Sequence, residues 1–158
     1  MTPTAGCRRV VLVVAALLMP GTAGAQAEVR RTLSPPSLPP TRGYSHVVIA
    51  PAGRRAVISG QVSVDSLGAV VGKGDFRAQC IQVFENLGRA LRSVGAGFED
   101  LVRTDMYVTD LAQLDILREV RARYLPAEHP PASTLVRVVA LYRPELMIEV
   151  AAEAVLPR

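Results

Sequence analysis

The chain predicts an α+β fold, a single ββαβαββ layer with both helices on one face of the sheet. Three observations carry that expectation. β-rich runs recur at residues 46–50, 54–62, 101–109, 133–141 and 146–155. Two intervening stretches repeat apolar residues at three and four, the helical period. Finally, the helical stretches fall between strands, so that each can cover the same sheet.

The elements follow in order. Pro51-Ala52-Gly53 separates the first two β-rich runs and reads as a hairpin connection. A polar loop with Gly68, Gly72 and Gly74 leads to Asp75, a helix cap. Phe76, Cys80, Val83, Phe84, Leu87, Leu91 and Val94 then form an apolar stripe, ended by Gly95 and Gly97. After the third run, Asp110 caps a second helix with Leu111, Leu114, Leu117, Val120 and Tyr124 on its inner face, up to the break at Pro126. Two further strands close the chain. With the helices on one face, Val136, Val138, Ile148, Val150 and Ala152 are expected to leave the other face apolar, a surface that asks for cover by other subunits.

The N-terminal residues read differently. Arg8-Arg9 precedes ten apolar residues, then Pro20 and a small-residue run containing Ala23-Gly24-Ala25 and Ala25-Gln26-Ala27. That is the pattern of a secretory signal over residues 1–27, cleaved near Ala25 or Ala27. The apolar run is short of the ~20 residues a membrane span needs, so no lasting anchor is expected. Export to the periplasm or exterior follows. Residues 28–42, with Ser34-Pro35-Pro36-Ser37-Leu38-Pro39-Pro40, read as an extended tether without packing capacity, and residues 43–158 as the folded domain.

Losing Arg8 and Arg9 would leave 16 basic against 14 acidic residues, with Lys73 the only lysine. With aromatics at 4%, this is no footprint for nucleic acid. Cys7 would leave with the signal, and Cys80, on the apolar face of the first helix, reads as an inert buried thiol. His46 and His129 have no third ligand at metal spacing, so neither a metal nor a cofactor is expected.

Several short motifs fall in a distinctive order: Gly43-Tyr44-Ser45, Ile58-Ser59-Gly60-Gln61, Val102-Arg103-Thr104-Asp105-Met106-Tyr107-Val108-Thr109-Asp110-Leu111, Pro130-Pro131-Ala132-Ser133-Thr134-Leu135-Val136 and Ile148-Glu149-Val150. Together they resemble the RidA family, also called YjgF or L-PSP, across nearly all of residues 43–156. The resemblance implies a chorismate-mutase-like fold, a homotrimer, and a small-molecule ligand in clefts between subunits. It also implies hydrolysis of reactive enamines and imines.

On that resemblance Glu149 is the catalytic candidate, matching the glutamate that positions the attacking water. Its place inside an apolar run fits, because a charge there needs a partner or a task. Tyr44, Ser59 and Gly60 would wall the cleft, with the glycine allowing close approach. Ser133 departs from the pattern: deaminating members read Pro-Ala-Arg-Ser, and an arginine fork holds a substrate carboxylate with charge that serine cannot supply. Leu135, in place of a frequent cysteine, makes the pocket more apolar. Arg137 shares the side-chain parity of Ser133 and is the candidate compensating charge, ~13 Å along the strand; Arg143 is a second. The expected function is therefore imine or enamine hydrolysis on a substrate other than a typical 2-imino acid. The alternatives are a non-catalytic metabolite-binding trimer and, third, an endoribonuclease.

Overall fold

A computed structural model describes residues 31–156; the signal and cleavage sites expected within residues 1–27 lie outside them. The strands are β1 (Arg31–Leu33), β2 (Val47–Ile49), β3 (Arg55–Val62), β4 (Leu101–Val108), β5 (Ala132–Arg137) and β6 (Ile148–Val155), and the helices α1 (Phe76–Ser93) and α2 (Leu114–Arg121). The main sheet has the order β3-β6-β4-β5, antiparallel except for the β4–β5 pair. Both helices pack on one of its faces, as the α+β reading expects.

Local chemistry accounts for the boundaries. The Asp75 carboxylate accepts from the Ala78 amide at 3.0 Å and caps α1. At its other end Gly95 takes φ +74°, which lets the Gly95 and Ala96 amides reach back to the Arg92 and Leu91 carbonyls. Asp110 accepts from Ala112, but the chain first makes a 3-10 turn over Leu111–Gln113 before α2 begins. Leu111 consequently lies half exposed, outside the stripe to which the sequence assigned it, while Leu117 and Val120 are fully buried. Phe84, Leu87, Leu91, Met106, Leu117 and Ile148 form the centre of the core, each removal from water worth about 1.5–3 kcal/mol. Cys80 is wholly enclosed there, and burial pushes its thiol up to about 12, which holds it in the unreactive protonated form.

Three expectations need correction. Val47–Ile49 does not form a hairpin with Arg55–Val62; it pairs with Arg31–Leu33, and β3 takes β6 instead. A three-residue run satisfies its backbone with any extended neighbour, and proline at 51 offers no amide to continue a ladder toward β3. The expected tether therefore packs in part: it supplies β1, turns where the Leu38 amide meets the Pro35 carbonyl, and is held where His46 Nε2 meets the Pro39 carbonyl at 2.9 Å.

The third correction concerns the open sheet face. Ile148, Val150 and Ala152 point into the helical core, not away from it. Strand alternation then turns Glu149, Ala151 and Glu153 outward, beside Tyr107, Asp105 and Arg103 of β4. Arg55–Glu153 and Arg103–Asp105 ion pairs lie on this face, with Val57 and Val136 as its exposed apolar members. It is a mixed surface, not an apolar one.

Candidate functional site

The expected site residues fall into two groups on opposite faces of the sheet. Glu149 opposes Tyr107 on the open face. Between Ile58 and Gln61 the β3–β6 register slips, so Ser59 and Gly60 form a bulge. The bulge brings bare backbone against the acid: a β-carbon on Gly60 would fall on the Glu149 carboxylate. Ser59 is exposed, and its carbonyl accepts from the Gln61 side chain at 3.0 Å. A half-buried carboxylate therefore lies against a strand backbone with solvent access, a place where a water could be held and deprotonated.

Ser133 is on the other face. It pairs with Thr104, and the Thr104 hydroxyl, fully buried, donates to the Ser133 hydroxyl at 3.2 Å. Leu135, two residues on, points the same way. Tyr44 reaches this group because its chain segment runs beside the start of β5. Ser45 donates its amide to the Pro131 carbonyl at 3.0 Å and its hydroxyl to the Pro130 carbonyl at 2.7 Å. Tyr44, Ser133 and Leu135 then share a cavity of about 390 Å³ with Leu114 and Leu117, and Pro40 and Arg42 complete one wall.

The charge at this cavity does not come from Arg137. That side chain is exposed and donates to the Thr109 carbonyl at 3.2 Å, away from the lining. Arg143 donates to the Gly68 carbonyl at 2.8 Å, also elsewhere. The cavity is lined instead by Arg118 and Arg121 of α2. Sequence reasoning missed Arg121, although a signal existed: Leu114, Leu117, residue 121 and Tyr124 continue one helical stripe, and a charge inside that stripe is expensive unless it has a use.

The comparisons agree with this architecture. The family model described as Endoribonuclease L-PSP matches residues 35–156. A solved Yersinia pestis structure, described as a protein of unknown function of the conserved Rid family, is 39% identical with TM-score 0.75. It covers 80% of this chain and 98% of its own. A RutC family protein of Pyrococcus horikoshii is 31% identical over 115 residues, 73% of this chain and 88% of its own. The human 2-iminobutanoate/2-iminopropanoate deaminase is 27% identical over 114 residues, 72% and 81% respectively.

Proposed function

Because the chain belongs to the Endoribonuclease L-PSP family, the RidA and YjgF proteins, we propose that it is an imine or enamine deaminase. Water adds to the C=N carbon, the resulting carbinolamine expels ammonia, and a carbonyl compound remains. Glu149 takes a proton from the attacking water and gives it to the imine nitrogen, then passes the carbinolamine hydroxyl proton to the same nitrogen as ammonia leaves. The observation that carries this reading is the Glu149 carboxylate set against the bare Gly60 backbone, and the human deaminase relative gives it chemical company.

Assembly is part of the proposal. One sheet cannot present Glu149 and Ser133 to the same ligand, because they project from opposite faces. A cleft between subunits of a homotrimer solves this, with the acid from one copy and the Tyr44–Ser133 cavity from its neighbour. Export is the further part, with residues 1–27 removed near Ala25 or Ala27.

A second reading has its own observation. Serine at 133 gives β5 no fork for a carboxylate, which fits a trimer that holds a metabolite without turning it over. Ammonia release from 2-iminobutanoate generated in place separates the two. The deaminase reading expects release above the buffer rate, lowered ~10²–10⁴-fold by Glu149→Gln. Wild type and Ser133→Arg both at the buffer rate favour the binding trimer, whereas release by Ser133→Arg alone means a competent scaffold with a different natural substrate. Light scattering at a single-subunit mass would remove the shared cleft, and an exported chain still carrying residues 1–27 would remove the cleavage.

A further inference from the structure

Arg121 is 9% exposed, yet no acidic side chain pairs with it among the described residues. Among the described residues its guanidinium donates from Nη2 to the Arg42 carbonyl at 2.8 Å. A guanidinium carries five N–H donors in a fixed fork, so donors remain for the two cavities Arg121 lines: the Tyr44–Ser133 cavity and a second of about 360 Å³ bounded by Gly43, Ala122, Leu125 and Pro126. Of the two, the first also offers hydroxyls, from Tyr44 and Ser133, to share a bound anion. The close fit to the chain at Gly43 fixes the guanidinium in place. Gly43 takes φ +73°, and a β-carbon there would come within 2.9 Å of Nη2. Burial and the neighbouring Arg118 both work against its charge, and an anion in the cavity would relieve both.

The lining sorts by chemistry. Arg42, Arg118 and Arg121 supply positive charge, and no acid stands among the residues lining the cavity. Arg118 already has Asp115 at 3.0 Å, on the exposed side of α2. Leu114, Leu117 and Leu135 form an apolar wall with the Tyr44 ring, and the Ser133 hydroxyl lies among them. A cation that is fixed, buried and without an acidic partner, beside short apolar walls, fits one kind of ligand: an anionic head on a small hydrocarbon body.

We propose that Arg121 holds the carboxylate of a small organic acid in the Tyr44–Ser133 cavity, supplying from α2 the charge that β5 lacks at Ser133. This rests on the deaminase reading for the identity of the site and deepens it. The substrate class returns to short 2-imino acids, with the carboxylate gripped from a helix and not from a strand. Ser133 then offers a neutral hydrogen bond to the same head group.

Binding is measured on the full chain by titration calorimetry, apart from turnover. The probes are 2-oxobutanoate, its neutral amide 2-oxobutanamide, and inorganic phosphate. The expected result is 2-oxobutanoate binding at least about tenfold tighter than the amide, since a charge-assisted fork is lost with the carboxylate charge. Arg121→Gln should remove that preference. Arg121→Lys, which keeps charge and can still reach the Arg42 carbonyl, should keep part of it and decides the matter if Arg121→Gln does not fold. Equal binding of acid and amide, or a preference unchanged in Arg121→Gln or, where that variant does not fold, in Arg121→Lys, overturns the assignment. Phosphate bound more tightly than 2-oxobutanoate overturns the carboxylate class. Selective acid binding without ammonia release would remove the deaminase reading and leave this one standing; ammonia release without acid selectivity would do the reverse.

Discussion

The Glu149 carboxylate occupies the space that any side chain at position 60 would need, so Gly60 and Glu149 define each other's position across β3 and β6. Gly60→Ala is therefore a test of the acid's placement. The atoms in the way are the end of a flexible side chain, so the fold can give by moving Glu149. Unfolding free energy should fall by less than about 1.5 kcal/mol. Ammonia release should fall about 10²-fold, because a catalytic group displaced by an ångström costs that much. Equal, small losses in both measurements would mean that Glu149 is not the acting group.

Gln79 fixes where β6 starts and so where Glu149 lands. Its buried amide donates to the Glu145 carbonyl at 2.7 Å and to the Gly72 carbonyl at 3.2 Å, while its oxygen accepts from the Met147 amide at 2.8 Å. Gln79→Leu keeps the apolar volume but strands these partners. The expected loss is at least about 2 kcal/mol by denaturant unfolding. A loss below that would mean water re-enters and satisfies the loop.

The sequence already carried most of the core. Phe84, Leu87, Leu91 and Leu117 declare themselves by helical spacing, and Asp75 declares where α1 begins, while Asp110 marks the 3-10 turn that precedes α2. What it did not carry was partner choice. Val47–Ile49 has too few residues to encode whether β1 or β3 will lie beside it, and the face of Ile148, Val150 and Ala152 depends on which parity meets the helices. The site was legible in its individual residues and not in their grouping. Glu149 with Gly60, and Ser133 with Tyr44, are juxtapositions made by a bulge and by a segment lying beside β5. Arg121 stood in the apolar stripe as a charge without an evident use, and the cavity beside it supplies one.

Arg137 separates parity from reach. It shares the strand parity of Ser133 but extends to the Thr109 carbonyl from an exposed position. Arg137→Ala should change unfolding free energy by no more than about 0.5 kcal/mol, the usual scale for a surface substitution. Binding of 2-oxobutanoate should be unaffected in the same titration. Loss of that binding would return the compensating charge to β5.

Acid stability should report on Glu119, which joins the two helices. Arg77 of α1 donates to both of its oxygens, at 2.8 and 2.7 Å, and Arg123 binds it from beyond α2. The hydrogen bond from Arg77, followed by that from Arg123, lowers the Glu119 carboxyl to about 2 from an ordinary 4.5. A group depressed on folding contributes stability that is fully present above its unfolded value and lost as pH falls through its folded one. The contribution should therefore hold above about 4.5 and disappear as pH falls toward 2. Melting temperatures of wild type and Glu119→Gln, taken across that range, should differ most at the neutral end and converge near pH 2. The pair is solvent-exposed, so the gap at neutral pH should also narrow with added salt. A constant gap from neutral pH to pH 2 would mean that Glu119 acts through packing and not through its charge.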